Sequence, residues 1–364
     1  MRRLSQYRAP GEREAGERAW SLVQSAYETR EPVAWPRRHA RPLVAGALLA
    51  AVVAAALSPP GRSVVRSLRK AVGVEKAEPA LFSLPTRGQL LVTSRSGAWL
   101  VRPDGSKRLL GRYRDAAFSP TGRFVAATRA NELVALDPKG TETVRWSLAR
   151  PNPRFPRWTG TRTDTRIAYL SAGRMRIVAG DGTGDRALAR AAPVAPAWRP
   201  GPTRVLAYAT DRTAVVEDVD RRVVLLRVRP GTAPTRLEWS DDGRRLLVIT
   251  RHGLRAYDPH GKLVFQRAAV AAAFAPGTHR LAAIRVRGAQ SDVFQARSGR
   301  LLFRGTGLFR QLAWSPNGRW LLITWPTANQ WVFLRASPRK IVGASRISLQ
   351  FGGVPRVAGW CCAP

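Results

Sequence analysis

WSPNGRW, residues 314–320, sets a turn-forming tripeptide between two tryptophans. Proline fixes φ, asparagine bonds its own backbone and glycine accepts a positive φ, so Pro-Asn-Gly is turn chemistry. Relatives of the stretch stand at FSPTGRF, 118–124, and at WSDDGRR, 239–245. Such a motif either contacts a ligand or punctuates a repeated fold, and its spacing decides for punctuation.

An aromatic residue leading into a turn returns at Phe118, Trp158, Trp198, Trp239, Phe274 and Trp314, at separations of 40, 40, 41, 35 and 40 residues. Trp360, inside PRVAGWCCAP, follows 46 residues on. A period near 40 is that of a four-stranded propeller blade. Blade four is the clearest: TRLEWS is a strand, DDG a turn, RRLLVIT and HGLRAYD the next two strands, PHG a turn and KLVFQR the last strand. Second turns fall at 137–140, 180–184 and 298–299. Each aromatic is too large to leave in water. Wedged against the neighbouring blade it removes ~150–250 Å² from solvent. The seven are therefore read as structural blade anchors, with no catalytic, cofactor-binding or metal-binding residue among them.

The chain ends complete the pattern. Residues 88–111 supply the last three strands of a blade whose first strand is missing, and RVAGWCC supplies a first strand with nothing after it. The expected fold is all-β: a seven-bladed β-propeller closed by N- and C-terminal strands that share one blade, preceded by a single transmembrane helix. Closing the ring removes sheet edges that otherwise pair with other chains.

FSPTGRFVAAT (118–128), WSDDGRRLLVIT (239–250) and WSPNGRWLLIT (314–324) resemble the repeat of TolB-like β-propellers. The likeness covers residues 85–364; it weakens at WTGTRTDTRIAYL and WRPGPTRVLAYA and is least at FAPGTHRLAAI. The resemblance implies a propeller that binds partners in an extracytoplasmic space. It carries over no catalytic residue, because the repeat consists of structural positions.

From Leu43 to Leu57 the chain reads LVAGALLAAVVAAAL. As a helix this run spans roughly 22 Å, short of a hydrocarbon core of about 30 Å. Residues 42–61 are all uncharged, however, and flanking arginines can snorkel. The reading is a transmembrane helix over 42–61. A buried core helix would show polar positions at helical spacing. A cleaved signal peptide fits the Ala-x-Ala triplets but not the 42-residue leader. Basic residues on both sides leave charge silent on topology. The short arginine-rich tail, with nothing that needs export, is placed in the cytosol and the propeller outside. Residues 12–29 form an amphipathic helix in the tail, and 62–74 a basic amphipathic helix beside the membrane. The domains are 1–41 tail, 42–61 span, 62–84 juxtamembrane helix and linker, and 85–364 propeller.

The formal charge is +37, and of 61 basic residues six are Lys. An Arg-rich, Ala-rich composition fits a GC-rich bacterial genome; it also fits attraction to anionic partners. The arginines are scattered rather than gathered in a stripe, which argues against nucleic acid. Cys361 and Cys362 are adjacent near the C-terminus and are read as two thiols in a last strand, with a vicinal disulfide as the alternative. His39, His252, His260 and His279 show no metal spacing. No G-x-S-x-G elbow is present. Asp181 and Asp185 in GDGTGD, and the pairs Asp241–Asp242 and Asp218–Asp220, are read as turn residues before cation ligands or an acid–base pair.

The expected function is a membrane-anchored extracytoplasmic module that binds or senses a protein, peptide or anionic envelope polymer, or serves as a scaffold. It uses no cofactor and is not an enzyme. The alternative is a hydrolase or lyase with its site in the central channel, which requires free carboxylates or His at the channel mouth.

Overall fold

The computed structural model describes residues 77–79, 83–139, 144–161 and 164–362. These all fall within the second of the two units into which the chain divides, Ala55–Pro364. The transmembrane helix expected at 42–61 and the helices expected at 12–29 and 62–74 lie outside the described residues. Among the described residues no helix is long and apolar enough to cross a membrane.

The described chain builds seven antiparallel sheets of four strands, one of which carries a fifth. Six follow in sequence: 115–149, 154–190, 197–228, 234–267, 271–306 and 311–345. In the seventh, Arg356–Cys361 pairs with Gln89–Ser94, which continues through Gly97–Val101 to Lys107–Gly111. The two ends of the propeller thus build one blade, as the sequence implies.

Position within a blade explains composition. The second strands Val205–Thr210, Leu246–Thr250 and Trp320–Trp325 are buried almost throughout. Neighbouring blades cover both of their faces, so they read as continuous apolar runs such as LLVIT. The fourth strands Val144–Ala149 and Leu263–Arg267 lie at the rim, where most residues are exposed or half-buried.

The WSPNGRW stretch is a turn. The Ser315 N–H donates to the Trp320 carbonyl at 2.9 Å, and the Gly318 N–H to the Ser315 carbonyl at 2.8 Å. The Ser315 hydroxyl donates to Asn317 Oδ1 at 2.8 Å and accepts from the Trp320 N–H at 2.9 Å. Gly318 has φ of 64°, a left-handed conformation that costs glycine little. Ser240, Asp242 and Gly243 repeat this arrangement in blade four. Burial raises the Asp242 carboxyl, but the Ser240 hydroxyl, His279 and the Arg244 N–H outweigh it and hold the group down at about 2.

The seven aromatics all touch the preceding blade. Trp198 donates its indole N–H to the Arg157 carbonyl at 2.9 Å, and Trp314 donates to the Ala273 carbonyl at 3.1 Å. Trp158 stacks on Phe124 with centroids 6.3 Å apart, and Trp360 meets Phe333 edge-on at 5.7 Å. The Arg199 guanidinium covers Trp239 at 5.3 Å. Phe118 joins a hydrophobic cluster with Leu91 and Ala358 of the preceding blade, and Phe274 one with Leu247 and Ile249.

Two features depart from the sequence reading. Within the segment read as helix and linker, Ala77–Pro79 pairs in parallel with Ile341–Gly343 on the outer strand of blade six. In the other six blades a bulge or irregularity interrupts the pairing of third and fourth strands. Blade six pairs Gln330–Ala336 with Arg339–Ser345 without interruption. A bulge twists an edge away from further pairing, so the regular edge is the one that accepts a strand. Second, Cys361 and Cys362 are joined in a vicinal disulfide rather than standing as two thiols. Cys362 leaves the strand in a left-handed conformation, φ 47°.

Trp360 is 9% exposed and ties the last strand to blade six. Trp360→Ala is expected to destabilise the protein by about 3–5 kcal/mol, read as a shift in the chemical denaturation midpoint. An unchanged midpoint contradicts its wedging role.

Candidate binding face and central channel

The first strands of all seven blades contribute residues to the central channel. The connections between blades open on one face and the aromatic-led turns on the other. Two cavities, about 640 Å³ and about 320 Å³, share Arg236, Glu238, Trp239, Gln311, Val357 and Ala358 and are two stretches of one channel. The larger lies toward the connection face, where Asp115, Arg154, Arg157, Arg236 and Arg356 line it together with Phe155, Trp158, Trp198 and Trp239.

The carboxylates of this channel are committed. Asp115 Oδ2 accepts from Arg154 Nε at 2.9 Å and from the Phe155 N–H at 3.2 Å. Glu238 Oε2 accepts from Arg236 at 2.7 Å and its Oε1 from the Phe274 N–H at 3.1 Å. Gln311 Oε1 accepts from the Val357 N–H at 3.0 Å. Each of these three side chains bonds the backbone of the next blade's inner strand. They staple neighbouring blades whose inner strands share no ladder. Phe155 takes φ of 54°, unusual for an aromatic residue, held by the Asp115 bond and covered by Arg154 at 4.6 Å from its ring.

The cations are less fully matched. Arg157 donates to the Pro156 carbonyl at 2.8 Å, and among the described residues neither Arg157 nor Arg356 has an ion-pair partner. Burial, then repulsion from Arg236 and Arg356, bring the Arg157 guanidinium down to about 10 against the pull of Asp115 and Glu238. It remains protonated at neutral pH. One residue before the anchors, the wall is small at Ala197, Ala273, Ala313 and Gly359. At that level the large side chains are Arg157 and Glu238.

Three successive blade connections expose apolar side chains: Val270 (55%), Leu308 (40%), Leu349 (77%) and Val354 (63%). Leu349 is carried by the one-turn helix Ile347–Gln350. The connection face therefore combines an apolar arc with an arginine-lined opening.

The acidic residues singled out from sequence are structural. Asp185 accepts from Tyr169 and from Arg176 Nη2, each at 2.5 Å, and from Arg150. Burial raises its carboxyl, but those donors outweigh it and hold the group below its ordinary range. Asp181 caps its own turn through Thr183, and Asp218 through the N–H groups of Asp220 and Arg221. Asp220 pairs with Arg166. Asp241 accepts from the Gly277 N–H at 2.6 Å, another link between blades. Among the described residues no group of His, Cys, Asp and Glu is placed to hold a metal. The channel residues escaped the sequence reading, although Asp115 and Gln311 both stand three residues before an anchor.

No protein-family model matches the chain, and no curated protein matches it in sequence. Solved structures do. A chain of the mitotic checkpoint complex is 15% identical with a TM-score of 0.52, covering 74% of this chain and 85% of its own. The WD40 domain of Neurospora crassa Pan2 is 12% identical with a TM-score of 0.48, covering 64% and 78%. A chain of Kuenenia stuttgartiensis hydrazine synthase is 14% identical with a TM-score of 0.48, covering 61% and 76%. The fold is that of a WD40-like seven-bladed β-propeller.

Asp115→Ala strips the Phe155 N–H and Arg154 of their acceptor. The expected loss of stability is about 1–3 kcal/mol, read by chemical denaturation. Wild-type stability in the variant contradicts the stapling role.

Proposed function

We propose that the chain is a non-catalytic binding or scaffold module, TolB-like in its repeat, anchored by a span at 42–61 with the propeller in an extracytoplasmic space. Its partner is a protein, peptide or anionic envelope polymer that docks on the connection face. One observation carries the reading: Asp115 and Glu238 are both engaged in blade-to-blade bonds, while the opening they share is lined by arginines. Hydrolase or lyase chemistry at this mouth calls for a free acid and base; donors without acceptors call for binding. The exposed apolar side chains of the blade connections give a partner surface to bury, and scattered positive charge favours acidic partners.

The test places a photo-crosslinking amino acid at Leu349, at Val354 and, on the opposite face, at Arg244, in the full-length chain in bacterial membranes. Adducts at Leu349 and Val354 with none at Arg244 are expected. Equal labelling of both faces, or no adduct at Leu349 and Val354, contradicts the proposal. External protease on spheroplasts is expected to remove a C-terminal tag and spare an N-terminal one.

A further inference from the structure

We infer that the central channel is itself a binding site for a single oxyanion group, a carboxylate or phosphate on a small organic molecule, and that Arg157 is the residue that grips it. The inference concerns the channel rather than the face around it, and stands whether or not a macromolecule docks there.

The side-chain inventory points this way. The larger stretch of the channel offers about 640 Å³, room for an organic molecule rather than a bare ion. Arg154 and Arg236 are paired with Asp115 and Glu238. That leaves Arg157 and Arg356 in the same cavity with no carboxylate of their own among the described residues. A guanidinium donates through a planar fork and accepts nothing, so its natural complement is a bidentate oxyanion. The wall beside it includes the half-buried rings of Phe155, Trp158 and Trp198. They carry flat apolar surface against which the organic part of a ligand can lie, and they thin the water that screens the charge.

Arg157 also looks unfavourable as a structural residue. On the channel wall it is half-buried and faces the guanidiniums of Arg236 and Arg356 as well as the already committed carboxylates of Asp115 and Glu238, yet its own guanidinium bonds one backbone carbonyl. An unpaired desolvated cation weakens a fold. Residues that break a local rule of stability mark functional sites. The bond that Trp198 donates goes to the Arg157 backbone carbonyl, so replacing the side chain leaves it in place.

The experiment uses the full chain in nonionic detergent at physiological salt and titrates it with citrate and, separately, inorganic phosphate by calorimetry. Wild type is expected to bind at least one of them, and the anion that binds names the chemical source. Arg157→Met is expected to weaken that binding roughly 10–100-fold, the loss of one or two charge-assisted hydrogen bonds. Arg157→Lys keeps the charge without the fork and is expected to fall between. Arg244→Gln, on the far face, is expected to bind as wild type. Without added anion, Arg157→Met is expected to melt above wild type by about 2–4 °C, because a charge-desolvation cost has been removed. A structural arginine predicts the opposite shift. The proposal is overturned if wild type binds neither anion, or if Arg157→Met binds as wild type. It is equally overturned if Arg157→Met melts lower or fails to fold while Arg157→Lys keeps full affinity.

Discussion

A propeller has no helix or barrel ladder to hold its sectors together; each blade is a separate sheet, and adjacent blades meet through side chains. The whole ring depends on one pairing, Arg356–Cys361 on Gln89–Ser94. It joins residues from opposite ends of the propeller and gives every blade a neighbour on both sides. With it in place, second strands such as LLVIT can be apolar on both faces. Without it the inner strand of the seventh blade and the face of Phe333 against Trp360 lie in water. Such a closure is non-local, so its cost in chain entropy falls early and its reward comes only when the ring is complete.

Blade packing uses two layers of contact. The aromatics that lead into the turns fill the space between sheets, and Trp198 and Trp314 add indole bonds to the preceding inner strand. Nearer the axis, Asp115, Glu238 and Gln311 reach the backbone of the next blade. The second layer also shapes the channel: the carboxylates of Asp115 and Glu238 are used as staples, and arginines line the opening they share. The ring's architecture and the lining of its channel are thus set by the same few inner-strand positions.

Local chemistry was legible in the sequence. Trp, Pro, Asn and Gly at 314–318 specify a turn without reference to anything distant, and its recurrence near 40 residues specifies the blade. The shared seventh blade followed by counting strands at each end. The staples were not legible, since nothing beside an Asp names the backbone N–H 40 residues away that it will bond. The recurrence of a polar residue three positions before Phe118 and Trp314 was the available clue. A three-residue parallel strand, Ala77–Pro79, is too short to show a period. The apolar arc is made of single residues, Val270, Leu308, Leu349 and Val354, that only the fold brings to one face. The Cys361–Cys362 bond turns on the path of the chain as it leaves the last strand, which adjacency alone did not reveal.

Hydrogen exchange followed by mass spectrometry tests the closed ring most directly. If both ends of the propeller build one sheet, amides in the ladder between Arg356–Cys361 and Gln89–Ser94 exchange as slowly as those of Leu246–Thr250 in blade four, and lose protection together under denaturant. Rapid exchange at 356–361 beside a protected remainder would mean that the last strand hangs free and the ring is open.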